Sequence, residues 1–192
     1  GVAVTSMVVL GSGNMLSNRS GWFAREQMEN PIDGLIDDLL ALEHAEKQVE
    51  VLQDAQARDT VADLKLKLEQ FSSNLGGSAT YLHHQVEHHK WSVTRNDFNS
   101  FARAARLRWE RGKIPNPNPD KHRLPGHADP HENPKIGPSM YEVNEHVVKW
   151  ATRQVGGVSW ALMCHPQGLD CDLFVSHAWC EGVFEFVNHV LK

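Results

Sequence analysis

Residues 31–75, PIDGLIDDLLALEHAEKQVEVLQDAQARDTVADLKLKLEQFSSNL, decide the fold of this chain. Pro31 suits the first turn of a helix, and Asp33, Asp37 and Asp38 sit near the positive end of its dipole. Leu35, Leu39, Leu42, Val49 and Leu52 recur at steps of three, four and seven. Leu64, Leu68, Phe71 and Leu75 continue a stripe of similar spacing. Between the two runs QDAQARDT thins the apolar face, which predicts a break or stutter near 57–60. Gly76 and Gly77 end the pattern, as glycine does after a helix. A helix of about 40 residues reaches roughly 60 Å, more than the width of a small domain. The arm therefore folds back as a hairpin or packs on a partner. One apolar seam on a polar helix belongs to a coiled coil or bundle rather than to a catalytic element.

Downstream, 78–90 reads as helical, and Thr94 caps a further helix with Asp97 at its third position. In that helix Phe98, Phe101, Ala105 and Trp109 form one apolar stripe, with Ala104, Leu107 and Arg108 beside it. Arg103, Arg106, Arg108 and Arg111 make its other face basic, which reads as a solvated surface, with contact to an acidic partner as the alternative. Residues 113–138 hold seven prolines and no period, the composition of a semi-rigid connector. SMYEVNEHVVKWATRQV then reads as a helix stopped by Gly156 and Gly157. VSWALMCH has strand character, CDLFVSHAW is a second strand, and a last helix opens at Glu181. The organisation expected is a tail over 1–30, a helical region over 31–112, a linker over 113–138 and a small α/β unit over 139–192. The fold class is mainly α.

The formal charge of −5 over 192 residues gives no field suited to a nucleic-acid backbone. No run approaches the roughly 18–20 apolar residues of a membrane-spanning helix. Cys164, Cys171 and Cys180 lack zinc-ribbon or disulfide-scaffold spacing, so reduced thiols in a reducing compartment of a eukaryotic cell are expected. The apolar GVAVTSMVVLGSG reads as an ordered tail packed on something; the alternative is the remnant of an organelle-targeting segment.

YLHHQVEHHKW, residues 81–91, places four of the twelve histidines within seven positions. On one helix His84 and His88 share a face, as do His83 and Glu87, with His89 one step on. That spacing permits a transition metal with further ligands from elsewhere. The zinc-protease pattern needs a glutamate where Gln85 stands, so no base is present. QVEHH also resembles the third histidine box of membrane front-end fatty acyl desaturases. That family needs two upstream boxes and several spans, whereas His44 is the one upstream histidine, and the resemblance is set aside. The reading adopted is a polar helix surface with no cofactor.

GLDCDLFVSHAWCEGVFEFVNHVLK, residues 168–192, carries a sharper signal. Asp172, Phe174, Ser176 and Glu181 fall on a D-x-F-x-S pattern followed by an acidic loop, and Phe186, Val187 and Leu191 lie on one helix face. With YEVNE upstream, the string resembles the first strand and helix of TIR-like "SHAW" domains, found in multidomain proteins of algae and related protists. The resemblance covers about 141–192. It implies the opening of a parallel α/β fold and a link to signalling or NAD cleavage. The acidic residue that NAD-cleaving domains of this type use lies on a later helix with no counterpart here, so an enzyme is not expected. Ser176 and His177 are neighbours on a strand and point to opposite faces, so they do not form a nucleophile–base pair.

The expectation is a non-enzymatic structural or interaction subunit that packs on other proteins. Leu35, Leu39, Leu42, Val49, Leu52 and Trp179 are its expected contact residues. The alternatives are a metal-binding protein using 83–89 and a piece of a TIR-like signalling or NAD-cleaving protein.

Overall fold

The 31–75 stripe is divided between two helices, α1 (Pro31–Leu52) and α2 (Ala55–Asn74). They run antiparallel. Asp38 pairs with Lys67 at 3.6 Å, while Glu46, further along α1, pairs with Lys65, earlier on α2, at 3.0 Å. The long arm is thus a hairpin within this chain, and Leu35, Leu39 and Leu42 of α1 and Leu64 and Leu68 of α2 are buried in it. The break falls between Leu52 and Ala55; residues 57–60, where thinning predicted it, are helical inside α2. The computed structural model describes residues 6–10, 30–52, 55–116 and 130–192, and the fold is mainly helical. Most of the 1–30 tail and residues 117–129 of the proline-rich stretch lie outside the described residues.

Asn30 starts α1, its side chain accepting the Ile32 N–H at 3.1 Å. After α2, Gly76 adopts φ +83°, the left-handed turn that glycine makes without strain. α3 (Ala79–Gln85) is followed by a 3-10 turn at His88–Lys90. α4 (Arg95–Glu110) opens with the expected capping box between Thr94 and Asp97.

The basic face expected on α4 is divided in the structure. Arg103 reaches Asp37 at 2.7 Å and Asp33 at 3.5 Å, which ties α4 to α1. Arg108 is buried rather than solvated. Its guanidinium donates to Glu43 at 2.9 Å and lies 3.8 Å over the Trp150 ring. Burial pulls its pKa below the ordinary arginine value, and the Glu43 carboxylate opposes that pull.

Residues 140–154 form α5 (Met140–Val143), a π-helical turn (Asn144–Val148) and α6 (Lys149–Gln154). In the π turn the Lys149 N–H reaches back five residues to the Asn144 carbonyl. Met140, Val143, Val147, Ala151 and Val155 all face the core. VSWALMCH does not form a strand. Trp160–Cys164 is a short helix, α7. Ser159 caps it by accepting the Leu162 N–H at 3.3 Å, and Leu162 and Met163 are buried. Ala, Leu and Met favour helix, and the segment lacks the β-branched run a strand prefers.

β2 (Leu173–His177) pairs antiparallel with β1 (Ser6–Leu10), with Ser6 opposite His177 and Leu10 opposite Leu173. Of the apolar N-terminal segment only 6–10 is described, and its backbone pairs with the C-terminal strand. α8 (Val183–Val190) begins after Gly182, two residues later than the opening read at Glu181. One buried cluster includes Ile32, Leu39, Phe98, Ile114, Val147, Leu162 and Phe186, so residues on both sides of 113–138 share a core.

Candidate functional site

The histidine segment is not one helix. Val86 leaves the helical region at φ −100°, ψ 121°, and the chain re-enters as a 3-10 turn. In a continued helix the Val86 carbonyl would accept the Lys90 N–H. Here the Trp91 indole N–H takes that carbonyl at 2.9 Å, and Lys90 donates to Glu87 at 2.8 Å. His84 and His88 therefore do not share a helical face, and both are exposed. His89 approaches Glu87 at 3.4 Å with both side chains largely in solvent, a contact worth little. His83 turns inward. Its Nε2 accepts the Ser159 N–H at 3.0 Å, which fixes the proton on Nδ1, and its ring lies 4.8 Å from Trp91. His88 also meets Trp91, edge-on at 4.7 Å. Among the described residues no three histidine, cysteine, aspartate or glutamate side chains converge as metal ligands.

A second site was hidden from sequence reading. Asp97 is more than the third residue of a cap. Its Oδ2 accepts the Thr94 N–H at 2.7 Å and meets His165 Nε2 at 2.6 Å. Its Oδ1 accepts from Asn30 Nδ2 at 3.0 Å, and Asn30 also reaches Ser100 at 3.2 Å. Three helix ends meet at this buried carboxylate: the start of α1, the start of α4 and the end of α7. Burial pushes the Asp97 pKa up, but the hydrogen bonds from His165 and Thr94 and the charge of His165 outweigh it. The net shift is downward from 3.8. Cys164 lies beside this network. Burial raises its thiol well above the ordinary value, and the Asp97 charge adds to the effect, so it stays protonated and a poor nucleophile. Thr94, Asp97 and an asparagine before Pro31 each carry a local cap signal. Nothing local marks His165, 68 positions from Asp97.

The SHAW segment is a packing junction. His177 is buried against Phe186, ring centroids 4.8 Å apart, with Nδ1 3.2 Å from the Ala178 carbonyl. Trp179 is half-buried and stacks on Tyr141 at 5.0 Å. The Tyr141 N–H donates to Trp179 and the Met140 N–H to Glu181, so this turn holds the start of α5. The side chains of Phe174 and Ser176 lie outside the described residues.

The expected contact residues divide along the hairpin. Leu35, Leu39 and Leu42 are buried in the chain's own core, Val49 is half-buried, and Leu52 is 67% exposed beside Val51 at 66%. From residue 46 to residue 56 no described side chain is buried. No helix among the described residues is long and apolar enough to cross a membrane. No protein-family model matches the chain, and no curated protein or solved structure does either.

Proposed function

We propose that the protein is a non-enzymatic interaction subunit that docks on partner proteins through the far end of the α1–α2 hairpin, with the C-terminal junction as a second contact. The observation that carries the reading is the placement of Val51 and Leu52. Two large aliphatic side chains stand in solvent at the end of an element whose root is firmly buried. Exposed apolar side chains are ordinary when scattered; here two stand together at the end of α1, which suits insertion into a partner's groove. At the junction Tyr141 is 55% exposed and stacks on half-buried Trp179, and Leu173 at the other end of β2 is 53% exposed. The resemblance of 141–192 to a unit of multidomain proteins supports the same reading. The polar groups that suggest chemistry have packing roles. Asp97 and His165 join helix ends, His177 is enclosed by rings, and Cys164 is kept protonated.

The test is a photo-crosslinking residue placed at Leu52 in the cells that make the protein. A discrete protein adduct is expected, lost when Val51 is changed to Asp and absent when the probe sits at exposed Gln154. No adduct at Leu52, or the same adducts from Gln154, overturns the reading.

A further inference from the structure

α4 and α8 pack side by side, and an open cleft of about 300 Å³ lies along them. Arg103 and Arg106 of α4, Lys135 of the turn before α5, and Phe184, Val187 and Asn188 of α8 line it. The three cations are not equivalent. Arg103 is held by Asp33 and Asp37, so its charge is offset. Arg106 lies flat on the Phe184 ring, its guanidinium carbon 3.9 Å from the centroid. Among the described residues its hydrogen-bond acceptor is the Pro134 carbonyl, at a long 3.5 Å. A guanidinium carries five N–H donors, so Arg106 is a cation fixed in orientation with donors unused. Lys135 makes no ion pair among the described residues; its backbone N–H donates to Asn133 Oδ1 at 2.9 Å. Two cations without an ion pair among the described residues thus flank a cleft whose apolar residues, Phe184 and Val187, keep only 6% and 8% of their surface exposed, in a chain whose formal charge is −5.

We propose that this cleft is a docking site for an acidic peptide segment of a partner protein. An aspartate or glutamate carboxylate pairs with Arg106 and Lys135, and an adjacent apolar side chain rests on Phe184 and Val187. Charge selects the acid, and the floor selects an occupant with an apolar group next to its charge. A bare inorganic anion leaves that floor wet and gains nothing from it. Because Arg106 is already stacked, binding does not have to order it. The proposal deepens the reading of the chain as an interaction subunit and rests on it for the partner being a protein. It uses a surface separate from the hairpin tip.

The experiment is fluorescence anisotropy of the full chain with a labelled peptide of alternating glutamate and leucine, its glutamine counterpart, and inorganic phosphate as competitor. Expected are saturable binding of the acidic peptide, weakening with added salt, and amide shifts confined to Ala102, Lys135 and Asn188 and their neighbours. Lys135→Glu, on an exposed turn, should weaken binding about tenfold, as expected when an attractive screened pair becomes a repulsive one. Arg106→Lys keeps the charge but loses the planar fork, and should weaken it about threefold. Equal binding of the glutamine peptide, full displacement by phosphate at matched ionic strength, or unchanged binding in Lys135→Glu overturns the proposal. Peptide binding lost while the Leu52 crosslink persists removes the cleft alone. The reverse result removes the tip alone.

Discussion

Replacing Asp97 by Ala should be among the costliest single changes at a polar position. The carboxylate accepts from Asn30, from the Thr94 N–H and hydroxyl, and from His165. Losing the capping box costs about 1 kcal/mol. Removing one partner of a buried pair costs about 3–5 kcal/mol. The His165 side chain is 28% exposed, however, so water can satisfy part of what it loses, and about 2 kcal/mol is the better figure. The total expected is about 3 kcal/mol, or a fall in Tm of about 6–12 °C for a chain of this size. Asp97→Asn keeps the shape and one acceptor and should cost about half as much. Coupling makes the effects non-additive, so His165→Ala in the Asp97→Ala background should add little beyond either change alone.

The same carboxylate sets a pH dependence. Its folded pKa lies below its ordinary value of 3.8, so the native state favours the charged form. That contribution is fully present above the unfolded pKa and is lost as pH falls through the folded pKa. Urea unfolding at neutral pH should therefore show the full gap between parent and Asp97→Asn. The gap should narrow as pH is lowered from about 4 toward 2, since the parent then becomes protonated too. A gap that is constant across that window, or an Asp97→Ala protein within about 0.5 kcal/mol of the parent at neutral pH, would refute the assignment of this carboxylate as the junction of three helix ends.

Leu39→Ala should cost about 2–5 kcal/mol, because the side chain is 2% exposed, whereas Leu52→Ala should leave the denaturation midpoint of the isolated chain nearly unchanged. Gly137→Ala should destabilise by about 2 kcal/mol or more: φ is +78°, which strains an L residue, and the added Cβ would lie 2.3 Å from the Phe184 ring. Trp179→Ala should cost about 2 kcal/mol, less than a fully buried tryptophan, since the ring is half-buried and stacked on Tyr141. Thermal unfolding of each variant checks the order Leu39, Gly137, Trp179, Leu52; a Leu52 variant as unstable as the Leu39 one would mean that the hairpin end is packed.

Local signals in the sequence were read well where local physics dominates. The Thr94–Asp97 box, the stops at Gly76 and at Gly156–Gly157, the strand at 173–177 and the helix after it depend on neighbours in sequence. The misreadings came where a distant group changed the outcome. The histidine helix ends early because an indole five residues on claims a carbonyl and because Ser159, 76 positions away, holds His83. The Trp160 segment was read as a strand because its hydrophobicity was visible while the Ser159 cap was not recognised. Arg108 looked like part of a wet face because its partners, Glu43 and Trp150, lie on other helices. The Asp97–His165 pair is the extreme case, since sequence gives no hint that the residue before Pro166 faces the start of α4.

The hairpin shows why an apolar stripe alone does not say what it touches. Leu35, Leu39, Leu42, Val49 and Leu52 follow one period along one helix, yet their surroundings change after Ala45, the last buried residue of α1. Nothing in the period changes at that point. What changes is the facing material: α4 meets the first half through Arg103, while in the second half Glu46 pairs with Lys65 of α2 and no described side chain from residue 46 to residue 52 is buried. Two helices side by side cover a strip of each other but leave the flanks of both open, so a residue such as Leu52 stays in water even though its stripe is continued by α2. A two-helix rod with apolar flanks gains little from its own contacts at that end and is held in place by its root. Covering those flanks would stabilise the far end without disturbing the core, since the root already has its partners within the chain. Under the proposed docking, that separation leaves the Asp97 junction and the Leu39 layer to keep the fold.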